Sequence, residues 1–251
     1  MRPPRAPSAL RRTRTAARPR DDTVWLFDLD NTLHDASRSI FRLIDQHMGE
    51  AVATTLGLER EQADALRNQY WVRYGATAIG MVRHHGVDIH RFLALSHNFE
   101  VAPLVHGETG LARRLRRLPG RKILLTNAPE HYAREVLETL GILHEFDGLW
   151  GIEQMRLQGR HRPKPSLALM RQILARLRVP ARRVILVEDT LANLKSAHQV
   201  GMRTVYLYHP GTPFSTLRHG RDLYVDRRVN ALGPLLTWGR GGRIPGSQGH
   251  A

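Results

Sequence analysis

A change of rhythm at Pro103 constrains this chain more than any other feature. From there on, short apolar runs alternate with helical segments of about 10–13 residues. Leu111–Leu118, Pro129–Leu140, Pro165–Leu177 and Thr190–Val200 carry helical patterning, and Gly141 and Gly201 stand just past two of their ends. Lys122–Thr126, Leu149–Gly151, Arg183–Val187 and Arg203–Leu207 read as strands between them. The earlier run Val24–Leu29, VWLFDL, supplies a fifth, apolar enough to be buried on both faces. This alternation implies parallel βαβ units and an α/β fold, with a doubly wound, Rossmann-like parallel sheet of five strands.

Between the first strand and Pro103 lies an inserted stretch of mostly helical sequence, residues 37–102. Apolar residues recur there at helical spacing in Ile40, Leu43, Ile44 and Met48, and again in Ala63, Leu66 and Tyr70. Gly57, Gly75, Gly80 and Gly86 read as helix ends or turns. The expected organisation is a basic disordered arm (1–20), an α/β core (21–36 and 103–238), the helical insertion (37–102) and a Gly-rich disordered tail (239–251).

Composition narrows the chemistry. The chain has no cysteine, which excludes disulfides, thiolate metal sites and cysteine nucleophiles. No apolar run approaches the roughly 20 residues that span a bilayer, and the first twenty lack the apolar centre of a secretory signal. No membrane partner is expected, and the expected location is cytoplasmic. The formal charge of +15 invites a nucleic-acid reading, but its placement argues otherwise. Seven arginines and no acid fall in residues 1–20, and Arg240 and Arg243 lie near the other end. Removing those nine charges leaves +6 for residues 21–239. The arm reads as a solvated extension, as a weak polyanion-binding segment, or as a transit peptide whose prolines spoil an amphipathic helix.

In open α/β sheets the reactive groups gather outside the carboxyl ends of the strands. The first strand ends in Asp28-Leu29-Asp30-Asn31-Thr32, the second in Thr126-Asn127, and the fourth in Glu188-Asp189, with Asn193 a helical turn later. Lys164 stands between two prolines just before a helix. Each motif alone is ordinary turn or helix-start chemistry; together, in order and each at a predicted strand end or helix start, they point to a site. Several carboxylates at one point repel unless a cation neutralises them, and oxygen ligands suit a hard ion such as Mg²⁺. Such an ion lets one anion attack another, as phosphoryl transfer requires. Lys164 supplies positive charge; Thr126 and the Asn127 backbone N–H supply donors to phosphoryl oxygens.

FDLDNTL (Phe27 to Leu33), LLTNAP (Leu124 to Pro129), RPKPS (Arg162 to Ser166) and VEDTLAN (Val187 to Asn193) together resemble the four motifs of the haloacid dehalogenase superfamily of phosphatases. The resemblance implies that Asp28 is a nucleophile forming an aspartyl-phosphate. Asp30 would be the general acid and base, its backbone carbonyl also on the metal. Thr126 and Lys164 would hold the phosphoryl group, and Asp189 with Glu188 would complete a Mg²⁺ site with Asp28 and Asp30. The insertion would be the helical cap that closes over the substrate. Dehalogenating members lack the second aspartate, so Asp30 favours phosphate esters. Phosphonate hydrolases of this fold need a cap lysine, and residues 37–102 contain none.

Tyr74 to Asp88 and Leu118 to Ile142 are similar to pyrimidine 5′-nucleotidases, which implies UMP or CMP as substrate. His84 and His85, with Arg83, are candidate contacts to base or sugar, or else line a solvated helix face. His34, directly after the first motif and so close to the implied nucleophile, is a further candidate substrate contact, the alternatives being packing or hydrogen bonding behind the site. Alternatives are a phosphatase of another small metabolite, such as phosphoglycolate or a sugar phosphate, a phosphomutase, and a non-catalytic protein tethered to nucleic acid through the arm. The expected partner is a small phosphate ester, with nucleic acid engaged at most weakly by the arm. The sequence fixes no oligomeric state.

Overall fold

A computed structural model describes residues 22–212 and 223–237; the basic arm and the Gly-rich tail lie outside the described residues. In chain order the elements are β1 (Val24–Phe27), α1 (Ile40–Leu56), α2 (Arg60–Tyr74), α3 (Thr77–His85), α4 (Ile89–Ser96), α5 (Leu111–Arg117), β2 (Arg121–Leu125), α6 (Glu130–Thr139) and β3 (Gly148–Trp150). They continue with β4 (Arg156–Leu157), β5 (Arg160–His161), α7 (Leu167–Leu177), β6 (Val184–Glu188), α8 (Leu191–Gln199), β7 (Arg203–Leu207), β8 (Arg227–Val229) and α9 (Leu232–Thr237).

The main sheet has the order β3-β2-β1-β6-β7-β8, and every neighbouring pair is parallel. Side chains alternate along each strand, so the two sheet faces meet different helices. From β1, Trp25 and Phe27 join a cluster with Leu115 of α5, Tyr132 and Val136 of α6, and Leu235 of α9. Val24 and Leu26 point the other way, against Leu169 and Ile173 of α7 and Leu194 of α8. All four β1 side chains are buried, each contributing roughly 1.5–3 kcal/mol of transfer free energy. The sheet is therefore doubly wound, as the alternation predicts, and β1 lies inside it with parallel neighbours on both sides.

Two expectations are corrected. The sheet has six strands rather than five: β8 adds to the far edge, pairing with β7 from Val205↔Arg227 to Leu207↔Val229. It escapes a reading based on apolar runs because it is three residues long, two of them arginine, with only Val229 buried. The antiparallel hairpin of β4 and β5, two residues each, was likewise invisible to that reading. The second correction concerns Gly80. Gly57, Gly75 and Gly86 do cap α1, α2 and α3 in left-handed conformation, but Gly80 lies inside α3. A Cβ there would collide with the Tyr70 ring, so the glycine allows α2 and α3 to approach closely.

Helices α1 to α4 surround a separate apolar cluster containing Val52, Ala63, Tyr70, Ile79, Met81, Phe92 and Leu93. Ile152, from the chain after β3, is the member of this cluster contributed from outside the insertion. A second contact is tighter. Gly75, in the turn between α2 and α3, has φ +77°, and a Cβ placed on it would lie 2.9 Å from the Lys164 carbonyl oxygen. The helical insertion thus rests directly on the segment carrying the candidate lysine.

Candidate active site

Asp28 follows β1 at the carboxyl edge of the sheet. Its backbone N–H donates to Val187 O at 3.0 Å, which continues the β1–β6 ladder by one rung. The chain then turns sharply: Leu33 N–H bonds Leu29 O at 2.8 Å, and Asn31 takes a left-handed conformation at φ 57°. Asparagine tolerates that region better than most side chains. Its side-chain oxygen accepts the Ser37 N–H at 3.1 Å, so the turn is held from within.

Lys164 is buried and makes two charge-assisted bonds, to Asp28 Oδ1 at 2.6 Å and to Glu188 Oε2 at 2.7 Å. Its place is fixed by Asn127, whose side-chain amide donates to Lys164 O and accepts from Lys164 N–H, each at 3.0 Å. The Asn127 side chain is therefore committed to aiming the lysine. Thr126 is buried beside it, and its hydroxyl oxygen accepts the Ala128 N–H at 3.0 Å. Glu188 ends β6 and accepts the Thr190 N–H at 3.2 Å. Asp189 accepts a hydrogen bond from the Thr212 hydroxyl, which arrives from the loop after β7.

Asp28, Glu188 and Asp189 each present an oxygen within 4.8 Å of the others. Three carboxylates against one ammonium leave two excess negative charges, which one divalent cation would balance. Burial, then the Glu188 charge, pushes Asp28 up to about 7. Burial raises Glu188, with Asp189 adding to it and Lys164 opposing; burial and then Asp28 raise Asp189. Burial alone would lower Lys164, but the Asp28 and Glu188 charges outweigh it and hold the ammonium protonated. A cluster that resists its own ionisation, built wholly of oxygen donors, fits a hard cation such as Mg²⁺. The Asp30 carboxyl is not one of these three groups. Its Oδ1 instead accepts the Tyr132 hydroxyl at 2.7 Å and meets His34 Nε2 at 2.9 Å.

The structure therefore brings Asp28, Lys164, Glu188 and Asp189 into direct contact or close proximity, with Thr126 and Asn127 on the adjoining strand end. His34 has no exposed side-chain surface and faces Asp30. His84 and His85 lie elsewhere, on the exposed end of α3, where they bond Tyr74 at 2.6 Å and Tyr70 at 2.8 Å. Among the described residues no hydrogen bond or ion pair joins them to the acidic group. A cavity of about 380 Å³ between the α3–α4 turn and the β4–β5 hairpin is lined by Asp88, His90, Glu153, Arg156 and His161, and by none of the catalytic candidates.

Two site residues escaped the sequence reading, Tyr132 and Thr212. Tyr132 occupies an apolar position of α6 and reads as core; burial and the Asp30 charge push its phenol well above the usual value, so it stays a donor. Thr212 belongs to the loop after the last predicted strand. Applying the strand-end rule to that strand as well would have found it.

A buried ammonium held by carboxylates at the carboxyl edge of a doubly wound sheet, beside a helical insertion, defines an α/β protein of the hydrolase kind. The chain belongs to the haloacid dehalogenase-like hydrolases, whose family profile matches residues 24–201. It is 25% identical over 209 residues to a phosphoglycolate phosphatase of Pseudomonas syringae pv. tomato, covering 76% of this chain and 72% of that protein. It is 24% identical over 135 residues to phosphate metabolism protein 8 of Saccharomyces cerevisiae, covering 50% of this chain and 42% of that one. This chain therefore spans less than half the length of the yeast relative. The fold is similar to that of L-2-haloacid dehalogenase from Xanthobacter autotrophicus, with TM-score 0.56 and 16% identity over 88% of this chain and 100% of that one. Among the described residues no helix is long and apolar enough to cross a membrane.

Proposed function

We propose that this hydrolase cleaves phosphate monoesters with Asp28 as nucleophile, and that its substrates are pyrimidine nucleoside 5′-monophosphates, UMP or CMP. The observation that carries the phosphatase reading is the Asp28–Lys164–Glu188 triad, with a second aspartate two residues after the nucleophile. A nucleophilic carboxylate must stay ionised while an anionic ester approaches, and Lys164 at 2.6 Å stabilises that form. Asp28, Glu188 and Asp189 would hold Mg²⁺, which supplies charge neutralisation for the phosphoryl oxygens when bound. Lys164 and the Thr126 hydroxyl would orient the phosphoryl group. Asp30 would protonate the departing ester oxygen and afterwards take a proton from water.

The pyrimidine reading rests on the similarity of residues 74–88 and 118–142 to nucleotidases. A second reading, a phosphatase of another small metabolite, is favoured by the likeness to a phosphoglycolate phosphatase over three quarters of the chain. Phosphate release from UMP, CMP, AMP, phosphoglycolate and sugar phosphates, with and without Mg²⁺, separates them. Release from UMP and CMP that needs Mg²⁺ and vanishes in Asp28→Asn is the expected result. Release from phosphoglycolate alone would keep the chemistry and replace the substrate. No release from any ester by the folded, metal-supplied protein would overturn the phosphatase reading.

A further inference from the structure

The two oxygens of the Asp30 carboxyl have different surroundings. Oδ1 receives both the Tyr132 hydroxyl and His34 Nε2, while among the described residues no protein donor reaches Oδ2. The two donors come from separate places, His34 from the turn four residues on and Tyr132 from α6, 102 residues away. His34 Nδ1 is buried with no hydrogen-bond partner, so the ring has a single polar engagement. With any carboxyl proton on Oδ2, Oδ1 only accepts, which assigns the imidazole hydrogen to Nε2 and leaves Nδ1 bare. The Tyr132 ring packs against His97 and Phe99, with centroids 5.5 and 6.3 Å away. Both belong to the segment that leads from α4 back towards the sheet, so the phenol is held by the insertion's return linker.

We propose that Tyr132 and His34 are positioning residues that clamp Asp30 through Oδ1 and thereby make Oδ2 the oxygen that exchanges protons with leaving group and water. This rests on the phosphatase reading above. In the first half, the Asp28 carboxylate bonds to phosphorus as the ester P–O bond breaks. The departing oxygen keeps the bonding pair and takes the Oδ2 proton, giving the free alcohol and an Asp30 carboxylate. In the second half, Oδ2 takes a proton from water, whose oxygen bonds to phosphorus. The P–O bond to Asp28 then breaks, restoring the Asp28 carboxylate and releasing phosphate. Two donors on Oδ1 stabilise the carboxylate formed midway without competing for the lone pair that Oδ2 must use. Free rotation of the carboxyl would instead present the two oxygens at random, and misplacement of a reacting group is costly.

The test uses leaving groups of different need. Phenyl phosphate and p-nitrophenyl phosphate have nearly the same shape, but only the former leaves as an oxyanion basic enough to require an acid. The ratio of kcat/KM for the two esters, measured with Mg²⁺, reads the first half alone. Tyr132→Phe keeps the ring and removes the donor. The expected result is a loss of about 10–100-fold on phenyl phosphate and about threefold or less on p-nitrophenyl phosphate, with KM within twofold. His34→Met should show the same bias, and His34→Gln, which restores a donor at similar reach, should recover most of it. Equal losses on both esters, or no recovery in His34→Gln while its thermal unfolding matches wild type, would overturn the inference. The phosphatase reading fails separately, if Asp28→Asn retains hydrolysis of both esters.

Discussion

The carboxyl edge of the sheet and the exposed face of α2 and α3 both gather polar and ionisable side chains, by opposite means. At the sheet edge Asp28, Thr126, Lys164, Glu188, Asp189 and Thr212 come from five separate points of the chain, and all are buried. On the helical face Tyr70, Tyr74, Arg83, His84 and His85 come from one helix pair, and both histidines remain exposed. There the bonds join tyrosine hydroxyls to imidazoles, and Arg83 stacks on the Tyr74 ring at 4.9 Å. Burial raises the energetic stakes of every pairing, since a group left unmatched cannot turn to water. The difference teaches that the sheet-edge cluster should fail as a unit, whereas the helical face should tolerate replacement piece by piece.

Lys164→Met is the sharpest way to break this contrast. It leaves Asp28 and Glu188 facing each other without their common cation, and losing one partner of a buried pair costs about 3–5 kcal/mol. Chemical denaturation should show that loss, and kcat/KM should fall about 100-fold or more. Survival of full activity would mean the lysine only fills space.

The second comparison is with pH. Asp28, Glu188 and Asp189 have folded-state pKa values above their ordinary ones, so folding favours their protonated forms. The stability they contribute is full below about pH 4 and is lost as pH rises through 6 to 7. Lys164, raised rather than lowered, favours folding throughout that window. Mg²⁺ should therefore raise Tm by about 5 °C more at pH 7.5 than at pH 5 relative to EDTA, as read by calorimetry. An equal shift at both values would detach the cation from these carboxylates.

Gly75→Ala tests the contact between the regions. The left-handed backbone costs a non-glycine residue roughly 1–2 kcal/mol, and the added carbon presses on the Lys164 carbonyl. A fall in kcat/KM of about tenfold, larger than the stability loss alone explains, is expected from steady-state kinetics beside thermal melts. The smallest effects belong to His84→Gln and His85→Gln, whose exposed bonds should cost about 0.5 kcal/mol each. If pyrimidine nucleotides are bound there, KM for UMP should rise about threefold with kcat unchanged, the signature of lost uniform binding.

The sequence was most legible where geometry and chemistry coincide. VWLFDL is apolar on both faces, so a buried parallel strand followed directly, and with it the position of Asp28 at a strand end. The same rule placed Thr126, Glu188 and Asp189, because each follows an apolar run. Lys164 was found by its flanking prolines and the helix behind it, although nothing local showed Asn127 gripping its backbone from 37 residues away. Illegible features depended on distant packing. Gly80 looks like a turn until the Tyr70 ring is seen against it, and Tyr132 looks like core until Asp30 is seen beneath its hydroxyl. His34 was noticed for its closeness to the nucleophile, but its side chain attends to Asp30 from full burial. β8 carries too little apolar surface to announce itself.

The ladder rung made by the Asp28 amide has a thermal consequence. That N–H is bonded between two central parallel strands, so its exchange with deuterated solvent requires the sheet itself to open. Helices α1 to α4 pack on a smaller cluster of their own, so they should open at lower free energy and exchange earlier. On heating, the insertion should loosen first while Asp28 stays seated; if Asp28 is the nucleophile proposed above, hydrolysis of a small aryl ester should persist to higher temperature than discrimination among larger esters.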